Sequence, residues 1–105
     1  MDDILRALAE PTRRQIVEQL TSGPQPVSEL ATRLGASLST TVQHLTVLEE
    51  SGLVTTVKTG RVRTCHLRPH GLKQAEDWFA TRRRRLQRSF DRLQQYLHAK
   101  GDLNG

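Results

Sequence analysis

The stretch PVSELATRLGASLSTTVQHLTVLEESGLVTTVKTGRVRTCHL, residues 26–67, decides the fold. It opens with Val27, Leu30, Ala31 and Leu34 at helical spacing, which predicts a helix over about 27–34. Gly35 follows where a sharp turn between helices needs positive φ. Ser37 is placed to cap a second helix over about 38–51. Gly52 stops that helix, and Leu53-Val-Thr-Thr-Val is a β-branched strand signal. Thr59-Gly60 marks a hairpin tip, from which Val62–Leu67 returns. Helix, tight turn, helix and basic hairpin is the order of a winged helix-turn-helix. In that arrangement the second helix fits the DNA major groove and the hairpin reaches the neighbouring backbone or minor groove.

Working outward, a short helix is expected over about 2–9, with Ile4, Leu5 and Leu8 on one face. Pro11 suits the first turn of the next helix, because its missing N–H is not needed there. Ile16, Val17 and Leu20 face inward, and Thr21-Ser-Gly23 ends that helix. Pro24 and Pro26 are expected to form a rigid connection. On the other side Pro69 opens a last helix that runs to about residue 100. The expected fold class is mainly α with a small β-hairpin. It has about five helices in one domain, residues 1–100, followed by a disordered tail at 101–105.

A chain of 105 residues has little room for a catalytic cleft beside a core. No Ser/His/Asp set, phosphate-cradling glycine loop or carboxylate pair stands at a plausible spacing, so an enzyme is not expected. Only 35% of residues are hydrophobic, which leads us to expect apolar surface shared across a homodimer. No apolar run approaches the length of a membrane span, and the start is acidic rather than signal-like, so a cytoplasmic location is expected. The lone Cys65 excludes an intramolecular disulfide and fits a reducing compartment.

The net charge of +5 is informative once divided. Residues 1–52 carry four basic against seven acidic side chains. Residues 53–68 carry Lys58, Arg61, Arg63 and Arg68 with no acid at all. A short hairpin so biased is an electrostatic footprint for phosphates. Arg61 and Arg63 alternate with Val62 and Thr64, so both guanidinium groups are expected on one side of the strand, with Lys58 across the turn.

At 100° per residue, Leu38, Thr41, Leu45 and Leu48 form one stripe of the second helix of the motif. Ser39, Thr40, Gln43, Thr46 and Val47 lie opposite. Short hydroxyls and an amide on an exposed helix can read phosphates and base edges, Gln pairing bidentately with adenine. An ordinary amphipathic helix has the same pattern; the turn before it and the basic hairpin after it favour DNA. His44 lies on the flank, where it makes either a structural hydrogen bond or a phosphate contact. No suitably spaced partners make it a metal ligand, and no cofactor is implied. The candidate DNA-binding residues are therefore Ser37, Ser39, Thr40, Gln43, His44, Lys58, Arg61 and Arg63.

SELATRLGASLSTTVQHLTVLEESGLV resembles the helix-turn-helix of the ArsR (arsenical-repressor) family of bacterial regulators. LAEPTRRQIVEQL is similar to that family's opening signature, and VKTGRVRTCHL to its wing. The resemblance covers about residues 3–97. It implies a homodimeric winged-helix repressor on double-stranded DNA, with first and last helices at the interface and each half reading one operator half-site. One departure is specific. Metal-sensing members carry a Cys-x-Cys pair on the helix here occupied by Val27–Leu34, or carboxylate and His ligands on the last helix; neither pattern is present. The chain resembles the non-metal branch, and its effector is not legible.

In the last helix Leu72, Ala75, Phe79, Leu86, Phe90, Leu93 and Leu97 form a seam at spacings of three, four or seven, widened by Trp78. So small a domain cannot bury it alone. The expected dimer interface is Ile4, Leu5, Leu8, Trp78, Phe79, Leu86, Phe90, Leu93 and Leu97, the alternative being a seam used within the monomer. Arg82–Arg85 point all round a helix, and most are expected to be solvated. Cys65 is either a redox switch poised by Arg63 and His66 or inert packing. A winged helix used for protein contact, suggested by the acidic front half, is the other functional class left open, beside a metal- or redox-responsive regulator.

Overall fold

A computed structural model of the chain describes the backbone of residues 1–104 and the side chains of residues 1–100. Of the tail expected at 101–105, residue 105 lies outside the described residues, and the backbone of 101–104 continues the last helix. Two compact units divide the chain, Met1–Ala75 and Glu76–Gly105. The elements run α1 (Asp2–Leu8), α2 (Pro11–Leu20), β1 (Gln25–Pro26), α3 (Val27–Leu34), α4 (Leu38–Glu50), β2 (Val54–Thr59), β3 (Val62–Leu67) and α5 (Pro69–Asn104).

The helix-turn-helix forms for local reasons. Gly35 ends α3 at φ 65°, a left-handed conformation that a side chain resists. Its N–H and that of Ala36 close back onto the carbonyls of Thr32 and Ala31, at 3.2 and 3.1 Å. Ser37 then caps α4, its hydroxyl accepting from the Thr40 N–H at 3.0 Å.

In the first unit the core is Ile4, Ala7, Ile16, Leu20, Val27, Leu30, Leu45, Leu48, Leu53, Val54 and Cys65, closed by Ala75 at the start of α5. Truncating a fully buried member such as Leu48 to Ala costs about 2–5 kcal/mol. Three expectations are corrected here. Leu38, assigned to the inner stripe, is 56% exposed, because the first turn of α4 extends past the end of the core. Val47, assigned to the outer face, packs on the core's margin, because α1 covers that flank of α4. Ile4, expected at a subunit interface, is only 2% exposed and belongs to its own chain's core.

The connection containing Pro24 and Pro26 is more than a rigid linker. Gln25 and Pro26 pair antiparallel with Cys65 and Thr64, giving a three-stranded sheet of order β1-β3-β2. Proline is tolerated there because β1 is an edge strand. Gly71 in α5 is buried against the turn between α4 and β2. A Cβ on Gly71 would collide with the Gly52 carbonyl oxygen and sit 2.9 Å from its carbon, so only glycine allows this approach.

The second unit is helical. Trp78 and Phe79 meet edge to face with centroids 5.1 Å apart, and the Arg82 guanidinium lies 4.1 Å over the Trp78 ring. Phe79, Leu86, Phe90, Leu93, Tyr96 and Leu97 are all exposed.

Candidate nucleic-acid interface

Two elements carry the expected DNA-contacting residues. On α4, Thr41, Leu45 and Leu48 are buried, which turns Ser39, Thr40, Gln43 and Thr46 to solvent. These four are not equivalent. The Thr40 hydroxyl accepts from Ser37 at 2.9 Å, and the Thr46 hydroxyl donates to the Val42 carbonyl at 3.0 Å. Ser37 itself is engaged in the cap. Ser39 and Gln43 are left with exposed polar groups that make no hydrogen bond among the described residues. They hold the side-chain donors and acceptors best placed for an outside partner.

His44 is placed differently from the other candidates. Its side chain is 19% exposed, and its Nδ1 lies 3.8 Å from Glu10 Oε2. Glu10 caps α2, accepting from the Arg13 N–H at 2.9 Å. Partial burial pushes the Glu10 carboxyl up, but that hydrogen bond, the adjacent His44 and Thr12 outweigh it and hold it below its ordinary value. His44 thus stands beside the cap of α2, at a distance too long for a hydrogen bond.

In the wing, Lys58 and Arg63 are direct Cα partners across the β2–β3 ladder. Like charges opposite one another disfavour the hairpin unless an anion sits nearby. The Thr59–Val62 pair closes the ladder, so Arg61 lies in the two-residue tip just before β3, and it lines the same groove as Arg63. All three cations are exposed, and among the described residues no carboxylate lies within ion-pairing distance of them.

What fixes the wing against α4 is Glu49, a residue the sequence pattern does not single out. Its Oε1 accepts from the Thr56 N–H at 2.7 Å and the Thr56 hydroxyl at 2.8 Å. One carboxylate thus joins the end of α4 to the middle of β2. Glu49 also acts on Cys65. Burial pushes that thiol up to about 12, the Glu49 charge adds to the rise, and a backbone hydrogen bond from His66 only partly opposes it. The thiol packs in the core, and its raised value disfavours the thiolate that a redox switch would need.

The PTRR segment also acquires a physical meaning. Arg13 Nε donates to the Ala7 carbonyl at 2.6 Å and its Nη2 to the Arg6 carbonyl at 3.3 Å. Arg14 Nη1 donates to the Leu8 carbonyl at 2.6 Å. These guanidinium groups satisfy the carbonyls at the end of α1, a helix of seven residues that is too short to be stable alone.

Sequence and structure comparisons agree with this arrangement. A helix-turn-helix domain family matches residues 8–57. The HTH-type transcriptional regulator Rv2034 of Mycobacterium tuberculosis is 45% identical over 71 residues, which are 68% of this chain and 66% of that protein. The crystal structure of an ArsR family transcriptional regulator matches with a TM-score of 0.74 at 38% identity, covering 82% of this chain and 94% of that one. The chain belongs to the ArsR family. It is a transcriptional regulator with a helix-turn-helix DNA-binding domain, and its relatives carry regulator names and not enzyme names. A more distant ArsR-type structure, from Mycobacterium bovis, is a homodimeric winged helix-turn-helix DNA-binding domain; it is 25% identical with a TM-score of 0.66, over 76% of this chain and 74% of that one. Among the described residues there is no group of three or more His, Cys, Asp or Glu side chains placed to hold a metal ion. No described helix is long and apolar enough to cross a membrane.

Proposed function

We propose that this ArsR family chain is a sequence-specific, homodimeric repressor. It places α4 in the major groove of a palindromic operator and the wing on the adjacent backbone or minor groove. The observation that carries the proposal is the pairing of an unengaged Ser39–Gln43 face with an unneutralised Lys58, Arg61 and Arg63 wing, held in one geometry by Glu49. Base-edge readout needs the first and phosphate positioning the second. The exposed apolar row Phe79, Leu86, Phe90, Leu93 and Leu97 supports pairing with a second copy, together with the half-buried Trp78, Leu5 and Leu8. Bound at a promoter, such a dimer excludes polymerase, which is why repression is the expected output.

Fluorescence anisotropy against DNA fragments selected from the host genome tests the proposal. Gln43→Ala should relax discrimination at one position of each half-site by about 1–3 kcal/mol while leaving other positions unchanged. A complete absence of binding at low salt would favour a winged helix that contacts protein instead.

A further inference from the structure

Between the start of α4 and the wing tip lies a groove of about 300 Å³ with a composition that DNA contact alone does not explain. Its walls are apolar. Val27, Leu38, Val42 and Val62 line it, and Leu38 and Val62 are 56% and 51% exposed. Its remaining lining is Ser28, Arg61 and Arg63. No lining residue is acidic, and the two guanidinium groups have no ion-pair partner among the described residues. The groove also takes in the first turn of α3, whose N-cap Pro26 supplies no side chain to satisfy the free N–H groups there.

We infer that this groove is a binding site for a small apolar carboxylate, its hydrocarbon body between Leu38, Val42 and Val62 and its carboxylate on Arg61 and Arg63. Both parts are needed. An apolar wall with two unpaired cations and no acid favours an amphipathic anion over a neutral or cationic ligand, since guanidinium groups bind carboxylates bidentately. A volume at the lower end of the range for small-molecule sites limits the occupant to about one fused ring system or a short chain. Binding would also have a consequence, because the carboxylate takes the same two arginines that the wing offers to phosphate. The site rests on the groove itself; only this consequence, release from DNA, rests on the function proposed above.

The probe pair is 2-naphthoate and its neutral isostere 2-naphthamide, titrated into the full chain with amide shifts followed by NMR. Naphthoate should move the signals of Ser28, Leu38, Val42 and Val62 and bind at least about tenfold more tightly than the amide, the scale of a charge-assisted hydrogen bond. Arg61→Gln with Arg63→Gln should remove that preference, whereas Leu38→Asn should weaken acid and amide alike. Equal affinity for acid and amide, or shifts centred on the apolar face of α5, would overturn the site. Saturating naphthoate should also release the chain from a DNA fragment it otherwise binds, and an undisturbed complex would overturn the shared use of the two arginines. A chain that takes naphthoate in the groove yet binds no DNA at low salt would keep the site and refute the proposed function, so the two failures are distinguishable.

Discussion

The chain contains two close arginine pairs put to opposite uses. Arg13 and Arg14 turn inward along the chain and donate to the carbonyls that end α1, at distances down to 2.6 Å. Arg61 and Arg63 stand on an exposed hairpin, and no carbonyl or carboxylate among the described residues takes them up. Both pairs contribute equally to the net charge. Only the second is available to a polyanion, so the charge that matters for recognition is the part the fold leaves unsatisfied.

The strongest test of this contrast is to remove each pair. Arg61→Ala with Arg63→Ala should leave thermal stability nearly unchanged and weaken DNA binding about 10²–10³-fold, if a dimer thereby leaves about four phosphates without a cation. The log–log salt dependence should flatten by about 0.9 for each phosphate no longer neutralised. Arg13→Ala with Arg14→Ala should do the reverse. Loss of charge-assisted bonds to the α1 carbonyls should cost about 2–3 kcal/mol in urea unfolding, discounted because Arg14 is exposed, with the salt slope retained. A wild-type unfolding midpoint in that double variant would remove the structural role assigned to the pair.

How far the contrast was legible in the sequence differs element by element. Helix α3 runs over Val27–Leu34 as expected, because its apolar period and the flanking Pro26 and Gly35 are all local signals. Ser37 as cap and the hairpin tip are local in the same way. Strand β1 was hidden, since two residues containing a proline have no period and are ordered by β3 from far along the chain. Leu38 was misplaced because an angular stripe shows which side of a helix is apolar but not where the core ends. Arg13, Arg14, Glu49 and His44 find their partners through contacts at least six residues away, beyond any spacing rule.

A smaller effect should separate the position of the wing from its charge. Glu49→Gln keeps an acceptor for Thr56 but removes the carboxylate, and should cost about 1 kcal/mol of stability. DNA affinity should fall several-fold, with the salt slope unchanged because Lys58, Arg61 and Arg63 remain. It should also lower the Cys65 thiol from about 12, since the Glu49 charge is one cause of its rise, measurable as faster thiol modification in alkaline buffer. A flattened salt slope in Glu49→Gln would mean that the carboxylate shapes phosphate contact itself and not just the wing's position.

The smallest expected effect concerns the link between α2 and α4. Glu10 is held below its ordinary carboxyl value of 4.5, so the folded state favours its ionised form. A depressed carboxyl stabilises the fold above its unfolded value, and that stabilisation is lost as pH falls through its lower folded value. The stability gap between wild type and Glu10→Gln should therefore be fully present at neutral pH and close in acid, at and below the ordinary carboxyl range. Urea unfolding of both proteins at several pH values between neutral and about 3 measures it. Because Glu10 also faces His44 on α4, the gap should be smaller in a His44→Gln background at neutral pH if the pair couples the cap to the recognition helix. A gap that is unchanged in that background would leave Glu10 as a cap for α2 alone, and His44 as a side chain sheltered beside it without energetic contact.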